Sequence, residues 1–316
     1  MKKSFASLSL DLDNQWSYMK THGDAGWESF PSYLELVVPR ALQILDRRKL
    51  AITFFVVGQD AALPKNREAF DLLGRSGHEI GNHSFRHEPW LHLYTREEIE
   101  KEIVGAEEAI ASATGHRPVG FRGPGYSLSR NTLEVLSERG YLYDASTLPT
   151  FLGPAARAYY FFKSRLDDGE REQRKALFGS FKDGLKPLKP YRWSIDGEKL
   201  VELPVTTLPL FRVPFHFSYV LYLSGYSRTL AKSYFSTALR LVRLGGIEPS
   251  LLLHPLDVLG REDVPALEFF PGMGLGREEK LSLVEECLDE LQSSFTVTSL
   301  REHAQRARAT PAVSMP

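Results

Sequence analysis

The chain has 316 residues, 42% of them hydrophobic, and a formal net charge of −1. This content is enough for a large buried core, and a nearly neutral chain argues against nucleic-acid binding, which needs a broad basic surface. The single cysteine, Cys287, excludes an internal disulfide framework, and its place in a predicted amphipathic helix indicates a packing residue. Because no apolar run resembles a membrane span or a signal-peptide core, we expect a cytoplasmic protein.

Strands and helices are predicted to alternate through the first half of the chain. Pro39 should kink or divide the first long helix, and Thr95 with Glu98 forms a capping box at the start of another. Short apolar runs predict strands at 4–10, 51–57, 78–83, 119–122 and 141–146, and helical periodicity predicts helices at 33–50, 63–75, 95–114 and 129–139. This order favours a parallel sheet with helices outside it.

Residues 15–30 are predicted to be a loop that carries three aromatic side chains, Trp16, Tyr18 and Trp27. Aromatic residues in a loop beside a binding site can form a platform for a ligand. The alternative is that they pack the loop onto the domain, and the sequence leaves both interpretations open.

The second half of the chain is less regular. Residues 147–199 break the alternation and are interpreted as an insertion, and prolines keep the aromatic segment 209–223 from forming one helix. Further strands are predicted at 200–206, 249–253 and 295–300, further helices at 226–244 and 278–293, and a frayed tail at 309–316. About seven strands in one domain, residues 1–308, predict an α/β fold with a single (β/α) barrel.

Two histidines suggest a metal site. His83 and His87 are four residues apart, which places two imidazoles on one face of a helical turn or tight loop. A stable site needs at least one more protein ligand, and the first predicted strand runs directly into Asp11 and Asp13. These carboxylates are the natural third donor.

Polar residues follow several predicted strands. In a (β/α) barrel, groups at the carboxyl ends of different strands meet at one mouth. Each residue alone has an ordinary explanation as a turn residue, a helix cap or one half of a surface ion pair. The six residues are Asp11, Asp13, His83, Arg122, Asp144 and His254. Together they are hard to attribute to chance, and we expect them to share one site.

The order of these residues resembles the motifs of the polysaccharide deacetylase family, carbohydrate esterase family four. The matching motifs are Asp11-x-Asp13, His83-Ser-x-x-His87, Arg122-x-Pro124, Tyr143-Asp144-x-Ser146 and Leu252-Leu-His254-Pro. They extend from residue 8 to about residue 257, and the histidine motif is the most specific of them. The resemblance implies a distorted (β/α) barrel and a metal-dependent amide hydrolase.

The resemblance also implies a division of roles. Asp13, His83 and His87 would hold a divalent metal, with zinc the favoured ion, and Asp11 would accept a proton from the attacking water. Arg122 would orient Asp11 and keep it ionised. The family's usual motif has adjacent aspartates, so the intervening Leu12 leaves the division between the two carboxylates less certain. This Asp-x-Asp form resembles a cytoplasmic branch of the family.

The remaining motif residues would act on the substrate. By the resemblance, His254 would be the general acid for the departing amine, and Asp144 would raise its pKa and fix its tautomer. Gly125 and Tyr126 would contact the substrate or the oxyanion. The slim loop formed by Gly123 and Gly125 could admit a bulky substrate, or it could reflect turn chemistry alone.

A cytoplasmic deacetylase would act on an intracellular sugar, a nucleotide sugar or a lipid-linked saccharide at the inner membrane face. Two segments have the composition of a membrane-interfacial patch, a lid or a dimer interface. They are Tyr159–Phe162 with Lys163 and Arg165, and residues 209–223. The segment 209–223 precedes a basic helix that carries Arg228, Lys232, Arg240 and Arg243. We therefore predict removal of an N-acetyl or N-formyl group from an amino sugar during glycan, exopolysaccharide or lipid-linked saccharide synthesis.

Two other functions stay open. The scaffold could hydrolyse a cyclic or other non-carbohydrate C–N bond, or it could be a catalytically silent carbohydrate-binding homologue. His92, His216 and His303 are interpreted as surface or packing histidines. The sequence names no protein partner, and an oligomer is compatible with it.

Overall fold

The computed structural model describes residues 3–153, 181–195, 198–307 and 312–313. Ten strands within these residues belong to one sheet. Their bounds are Phe5–Asp11 (β1), Thr53–Val56 (β2), Glu79–Asn82 (β3), Gly120–Phe121 (β4), Tyr143–Asp144 (β5), Tyr191–Ile195 (β6), Glu198–Glu202 (β7), Ser250–Leu253 (β8), Thr296–Thr298 (β9) and Ala312–Val313 (β10).

Eleven α-helices lie in the described part of the chain. They are Gln15–His22 (α1), Leu34–Arg47 (α2), Gly58–Ala62 (α3), Arg67–Gly74 (α4), Arg96–Thr114 (α5), Arg130–Glu138 (α6), Phe217–Ser224 (α7), Arg228–Leu244 (α8), Pro255–Val258 (α9), Arg277–Ser294 (α10) and Leu300–Arg306 (α11). Short 3-10 helices occupy Trp27–Ser29, Pro64–Asn66, Leu91–Leu93, Pro124–Tyr126, Phe181–Leu185 and Pro265–Leu267. Across the described residues, none of these helices combines the length and the apolar character that crossing a membrane requires.

The sheet has the order β10-β6-β7-β5-β4-β3-β2-β1-β8, with β9 paired to the first residues of β1. The pairings are parallel except for the antiparallel pair of β6 and β7. After β7, the backbone N–H of Val205 donates to Thr147 and that of Thr206 donates to Ser250, so this segment lies between β5 and β8. The predicted distorted (β/α) barrel is confirmed.

Alternation along β1 separates the barrel interior from the outer core. Ser7 Oγ lies 2.8 Å from His303 Nδ1, and Ser9 Oγ accepts a hydrogen bond from Arg122 Nη1 at 2.7 Å. Leu8 and Leu10 point the other way, into the main hydrophobic core shared with α2 and α4. The odd-numbered register therefore carries Asp11 into the barrel.

Several predicted elements differ in detail. Residues 15–22 form α1 instead of a loop, because the Asn14 side chain caps the helix by accepting from the Gln15 N–H. Pro39 lies inside α2, which is not divided. Within the predicted insertion and tail, β6 and β10 join the sheet. The predicted patch at 159–165 lies outside the described residues.

Other local predictions are confirmed. Thr95 caps α5, accepting from the Glu98 N–H while the Glu98 carboxylate accepts from the Thr95 N–H. Gly115 ends that helix with a φ of 78°, a left-handed conformation that glycine adopts without steric cost. Cys287 is buried on α10, as expected for a packing residue.

Candidate active site

Three predicted metal ligands lie together at the carboxyl ends of β1 and β3. Asp13 Oδ1 lies 3.2 Å from His83 Nε2 and 3.0 Å from His87 Nε2. All three residues are buried, and one ligand atom from each lies within 4.8 Å of the others. Ser84 and His87 have φ values of 60° and 52°, so the histidines project from a tight loop and not from a helical turn.

A backbone carbonyl fixes the ring of His83. Its Nδ1 lies 2.6 Å from the carbonyl oxygen of Arg122, which can only accept a hydrogen bond, so Nδ1 carries the proton. When the ring is neutral, this leaves Nε2, the atom facing Asp13, with the lone pair that a metal ion would accept. Such a carbonyl partner is the usual support of a metal-binding histidine.

The carboxylate of Asp13 is held as an anion. Burial alone would raise the pKa of Asp13, but His87 and His83 outweigh this effect and hold that pKa well below its usual range. Two imidazole nitrogens and one carboxylate oxygen are a donor set that zinc and related divalent ions accept. The buried, converging ligand atoms therefore fit a divalent metal.

The second aspartate forms a buried ion pair beside this cluster. Arg122 Nη1 donates to Asp11 Oδ1 at 2.6 Å and to Ser9 Oγ, while Arg122 Nε donates to the carbonyl oxygen of Ala145 at 3.0 Å. The guanidinium also lies 4.5 Å from the ring centroid of Phe55. Arg122 is thus fixed on several sides and contacts the Asp11 carboxylate directly, while its role in orienting Asp11 for catalysis stays a prediction.

Asp144 has partners other than the expected one. It accepts from the Ser146 hydroxyl at 2.6 Å and from the Ser146 N–H at 3.2 Å, and it lies beside Glu202. Burial and then the Asp144 charge raise the pKa of Glu202 well above its usual value, so Glu202 keeps its proton. Among the described residues no hydrogen bond joins Asp144 to His254, which corrects the predicted pairing. Asp144 and Glu202 instead tie β5 to β7.

His254 follows β8 and is half-buried. Its Nδ1 lies 3.1 Å from Ser218 Oγ, and its backbone N–H donates to Asp257 Oδ2 at 2.8 Å. The buried His216 lies beside it, with ring centroids 5.6 Å apart. His216 is thus buried, as expected of a packing histidine, and its ring also lies against that of His254. The sequence analysis did not name Ser218 or Asp257 as neighbours of His254. A signal existed for Asp257, which is the acidic residue in the first helical turn after His254-Pro.

The Gly-Pro-Gly loop has a turn-chemistry explanation. A Cβ atom at Gly123 would lie 2.0 Å from the Ser127 carbonyl oxygen, and Gly125 has a φ of 57°. Burial and then the Asp11 charge raise the pKa of the Tyr126 hydroxyl, so it stays protonated near Asp11 and Asp13. Contact of Gly125 or Tyr126 with an oxyanion stays a prediction.

The predicted aromatic platform is in large part structural. Trp16 is buried, and its Nε1 donates to Asp60 Oδ1 at 2.9 Å, while Asn14 Nδ2 donates to the same oxygen at 2.7 Å. Burial raises the pKa of Asp60 to about 7. These contacts anchor α1, which follows Asp13. Trp27 is half-buried, with Lys20 Nζ 4.9 Å above its ring.

Residues 23–143 match the family model described as polysaccharide deacetylase. This part of the chain is similar to the polysaccharide deacetylase family. The matched residues include His83, His87 and Arg122, whereas Asp11, Asp13 and His254 lie outside the match. The match therefore covers part of the site, and the contacts described above join the other residues to it.

Two curated relatives of this chain carry peptidoglycan deacetylase names. The peptidoglycan deacetylase-like protein FGM2 of Gibberella zeae is 36% identical over 132 residues, covering 39% of this chain and 35% of that protein. The peptidoglycan deacetylase of Helicobacter pylori is 26% identical over 194 residues, covering 59% and 61%. The chain spans less than two thirds of the length of either relative.

Solved structures support the fold of this chain. A protein from Mycobacterium smegmatis assigned as a polysaccharide deacetylase has a TM-score of 0.65 at 23% identity, with 99% of this chain and 94% of that chain covered. The Puue allantoinase has a TM-score of 0.58 at 16% identity, with coverage of 98% and 91%. At these identities the likeness concerns the fold alone.

Proposed function

We propose that the protein is a metal-dependent hydrolase that removes an N-acetyl or N-formyl group from an amino sugar. One observation carries the proposal: the Asp13, His83 and His87 cluster lies directly beside the buried Asp11–Arg122 pair. The match of residues 23–143 to the polysaccharide deacetylase model and the names of the curated relatives support the same reaction class. Zinc is the proposed ion because it accepts this mixed nitrogen and oxygen donor set.

The site divides the reaction between two proton-transfer groups. When bound, a divalent metal lowers the pKa of water and polarises a carbonyl group. Asp11 accepts the proton that the attacking water loses as its oxygen adds to the amide carbon. Arg122 holds that carboxylate in place through the 2.6 Å hydrogen bond to its Oδ1. Asp13 is engaged by both histidines, so Asp11 is the carboxylate assigned as base.

The half-buried His254 completes the reaction. As the C–N bond breaks, its imidazolium donates a proton to the departing nitrogen, which leaves as a free amine while the acyl group leaves as a carboxylic acid. Gly125 and Tyr126 are proposed to contact the carbonyl oxygen or the sugar. Tyr126 is suited to this role because its hydroxyl stays protonated and can donate.

The function is tested by metal content and turnover together. The purified protein should contain a divalent metal, and chelation should abolish release of acetate or formate from a panel of N-acyl amino sugars. Zinc should restore turnover. The panel also contains cyclic imides and ureides, because the Puue allantoinase shares this fold. Cleavage of the cyclic compounds alone would replace the sugar assignment, and a metal-free protein that binds saccharides without cleaving them would indicate the silent homologue.

We propose further that the substrate is a lipid-linked saccharide, reached by peripheral contact with the inner membrane face. Leu210 and Phe211 support this, since 87% and 70% of their surfaces are exposed. The predicted basic helix contributes less than expected, because Arg228 and Lys232 both pair with Glu286 on α10. The same surface could serve as a lid or a dimer interface.

Vesicle binding tests the membrane proposal. The protein should sediment with anionic phospholipid vesicles, and the double change Leu210→Ser with Phe211→Ser should weaken this at least about tenfold, because two large apolar side chains lose their burial in lipid. Leu72→Ser, at an exposed leucine on α4, is the matched control. A protein that ignores such vesicles and cleaves only soluble acyl sugars would refute membrane contact. Cell fractionation tests the proposed cytoplasmic location.

A further inference from the structure

We propose that Asn14 and Asp60 are positioning residues that set the distance between the proposed metal ligands. Asn14 follows the ligand Asp13 directly, and Asp60 lies on α3, in the turn that comes after β2. This role rests on the proposed function, because it assumes that Asp13 and the two histidines hold a divalent metal. It adds supporting residues behind the ligands and leaves the ligand set unchanged.

The side-chain amide of Asn14 is fully buried and uses all of its hydrogen-bonding groups. Its Oδ1 accepts from the backbone N–H groups of Gln15 at 2.8 Å and Tyr33 at 3.1 Å. Its Nδ2 donates to Ser32 Oγ at 2.9 Å and to Asp60 Oδ1 at 2.7 Å. An amide side chain offers two donors and two acceptor lone pairs, so these four bonds leave none over. The two backbone donors fix which end of the amide is the oxygen, and Asp60 is therefore the acceptor.

Two aromatic residues join the same segment to the ligand and to Asp60. The Tyr33 hydroxyl donates to the Asp13 carbonyl oxygen, while the Tyr33 backbone N–H is held by Asn14. Trp16 Nε1 donates to Asp60 Oδ1 at 2.9 Å, so that one carboxylate oxygen accepts from both Asn14 and Trp16. While these bonds are made, the backbone of Asp13 has little freedom to shift relative to α3.

The turn formed by residues 58–60 also holds the loop that carries the two histidines. The backbone N–H of Gly58 donates to the Ser84 carbonyl oxygen at 2.9 Å, and that of Gln59 donates to the Phe85 carbonyl oxygen at 2.8 Å. Ser84 and Phe85 lie between the two histidines in the sequence. One short turn is therefore bonded to both segments that carry proposed ligands, to one through a carboxylate and to the other through its backbone.

Close packing against α5 keeps this turn and the histidine loop together. A Cβ atom at Gly58 would lie 2.6 Å from Ala106 Cα and 2.7 Å from the ring of Phe85, so only glycine fits there. Glu102, on the same helix, accepts from the backbone N–H groups of Phe85 at 3.0 Å and Arg86 at 2.8 Å. Two non-glycine residues of the loop have positive φ values, a conformation that such contacts must stabilise.

Support of this kind should be visible in metal affinity. A site whose ligand atoms already converge needs little rearrangement when the ion binds. Loss of the contacts behind metal ligands typically weakens metal binding about 10- to 100-fold. Because Asn14 is neutral, replacing it with another neutral residue changes the support of Asp13 without changing the charge of the site.

Zinc affinity of the full-length protein, measured by competition with a chromophoric chelator, tests the proposal. Asn14→Ser keeps an oxygen that can cap α1 but is too short to reach Asp60, and it should weaken zinc binding about 10- to 100-fold. Asp60→Ala removes the acceptor and should act in the same direction. The double variant should lose little more than either single variant, because both remove the same connection. The visible absorption spectrum of the cobalt-loaded variants should change as the ligand geometry shifts.

Matched variants separate positioning from charge and from folding. Asp60→Asn removes the charge but keeps an oxygen that can accept from Asn14, so it should bind zinc more tightly than Asp60→Ala. Ser299→Ala removes the side-chain cap of α11 and should lower stability without changing zinc affinity. An Asn14→Ser protein with the zinc affinity and cobalt spectrum of the wild type would overturn the proposal, and this variant decides the outcome if Asp60→Ala does not fold.

These readouts need no substrate, so the positioning role and the proposed function can fail separately. If the wild type binds zinc, Asn14→Ser binds it more weakly and no acyl sugar is cleaved, the proposed function is refuted and the positioning role stands. If the wild type cleaves acyl sugars and Asn14→Ser keeps its full zinc affinity, the positioning role alone is refuted. A wild type that takes up no divalent metal refutes both.

Discussion

Replacing His83 by alanine is expected to remove both the bound metal and the activity. His83 contributes one of three converging ligand atoms, and its Nδ1 is already committed to the Arg122 carbonyl oxygen. Two remaining ligands should hold a divalent ion poorly. Loss of the several kcal/mol that a metal supplies to the transition state corresponds to about a 10³-fold fall in kcat/KM. Metal analysis after dialysis and turnover on the cleaved acyl sugar measure the two effects.

The matched control is His116→Ala, which removes a histidine at the end of α5 whose ring contacts the Gly74 carbonyl oxygen. That variant should keep its metal and its activity. A His83→Ala protein that retains a full equivalent of metal and normal turnover would show that the cluster is not the metal site. Circular dichroism of both variants reports whether the fold is intact.

Replacing Asp11 by asparagine is expected to leave the metal in place and reduce kcat by about 10²- to 10⁴-fold, the range for loss of a general base. Asparagine has the same shape and can still accept from Arg122 Nη1, so the fold should change little. Its amide cannot accept a proton from water. Metal content and steady-state kinetics of the same preparation separate a lost base from a lost ligand.

The companion variant Asp13→Asn makes this test specific. Asp13 bridges His83 and His87, so its neutral amide should bind metal much more weakly than the carboxylate. If instead Asp11→Asn loses the metal and Asp13→Asn keeps it, the roles of the two carboxylates are exchanged. The intervening Leu12 left this division less certain in the sequence, and the contacts with the histidines favour Asp13 as ligand.

Short-range signals predicted much of the fold. The capping box at Thr95 and Glu98 and the left-handed Gly115 depend on residues close in sequence, and both ends of α5 were confirmed. Helix α1 was missed because its cap depends on more than its own residues. Asn14 caps α1 and also donates to Asp60, which lies after β2, so the helix is stabilised by a contact that no local window contains.

The candidate site likewise contains residues that could be predicted from local sequence and partners that could not. His83 and His87 could be predicted as a pair because four residues of tight loop bring their rings together, and the end of β1 was a natural source of a carboxylate. The partner of His254 could not be predicted, because several buried acidic residues follow strands or begin helices. In the structure, Ser218 on α7 contacts the His254 ring, and Asp257 on α9 accepts from the His254 backbone N–H. Glu202 from β7 lies beside Asp144 instead.

The sequence by itself therefore determined the alternating strands and helices, the barrel, and the polar residues that gather at the strand ends. It could do so because strand alternation, helix caps and ligand spacing act over a few residues. Only the tertiary structure decided which polar groups are partners across the barrel. Such pairs join residues such as Ser218 and His254, or Asp11 and Arg122, whose distance is set by the packing of whole elements and leaves no spacing pattern in the chain.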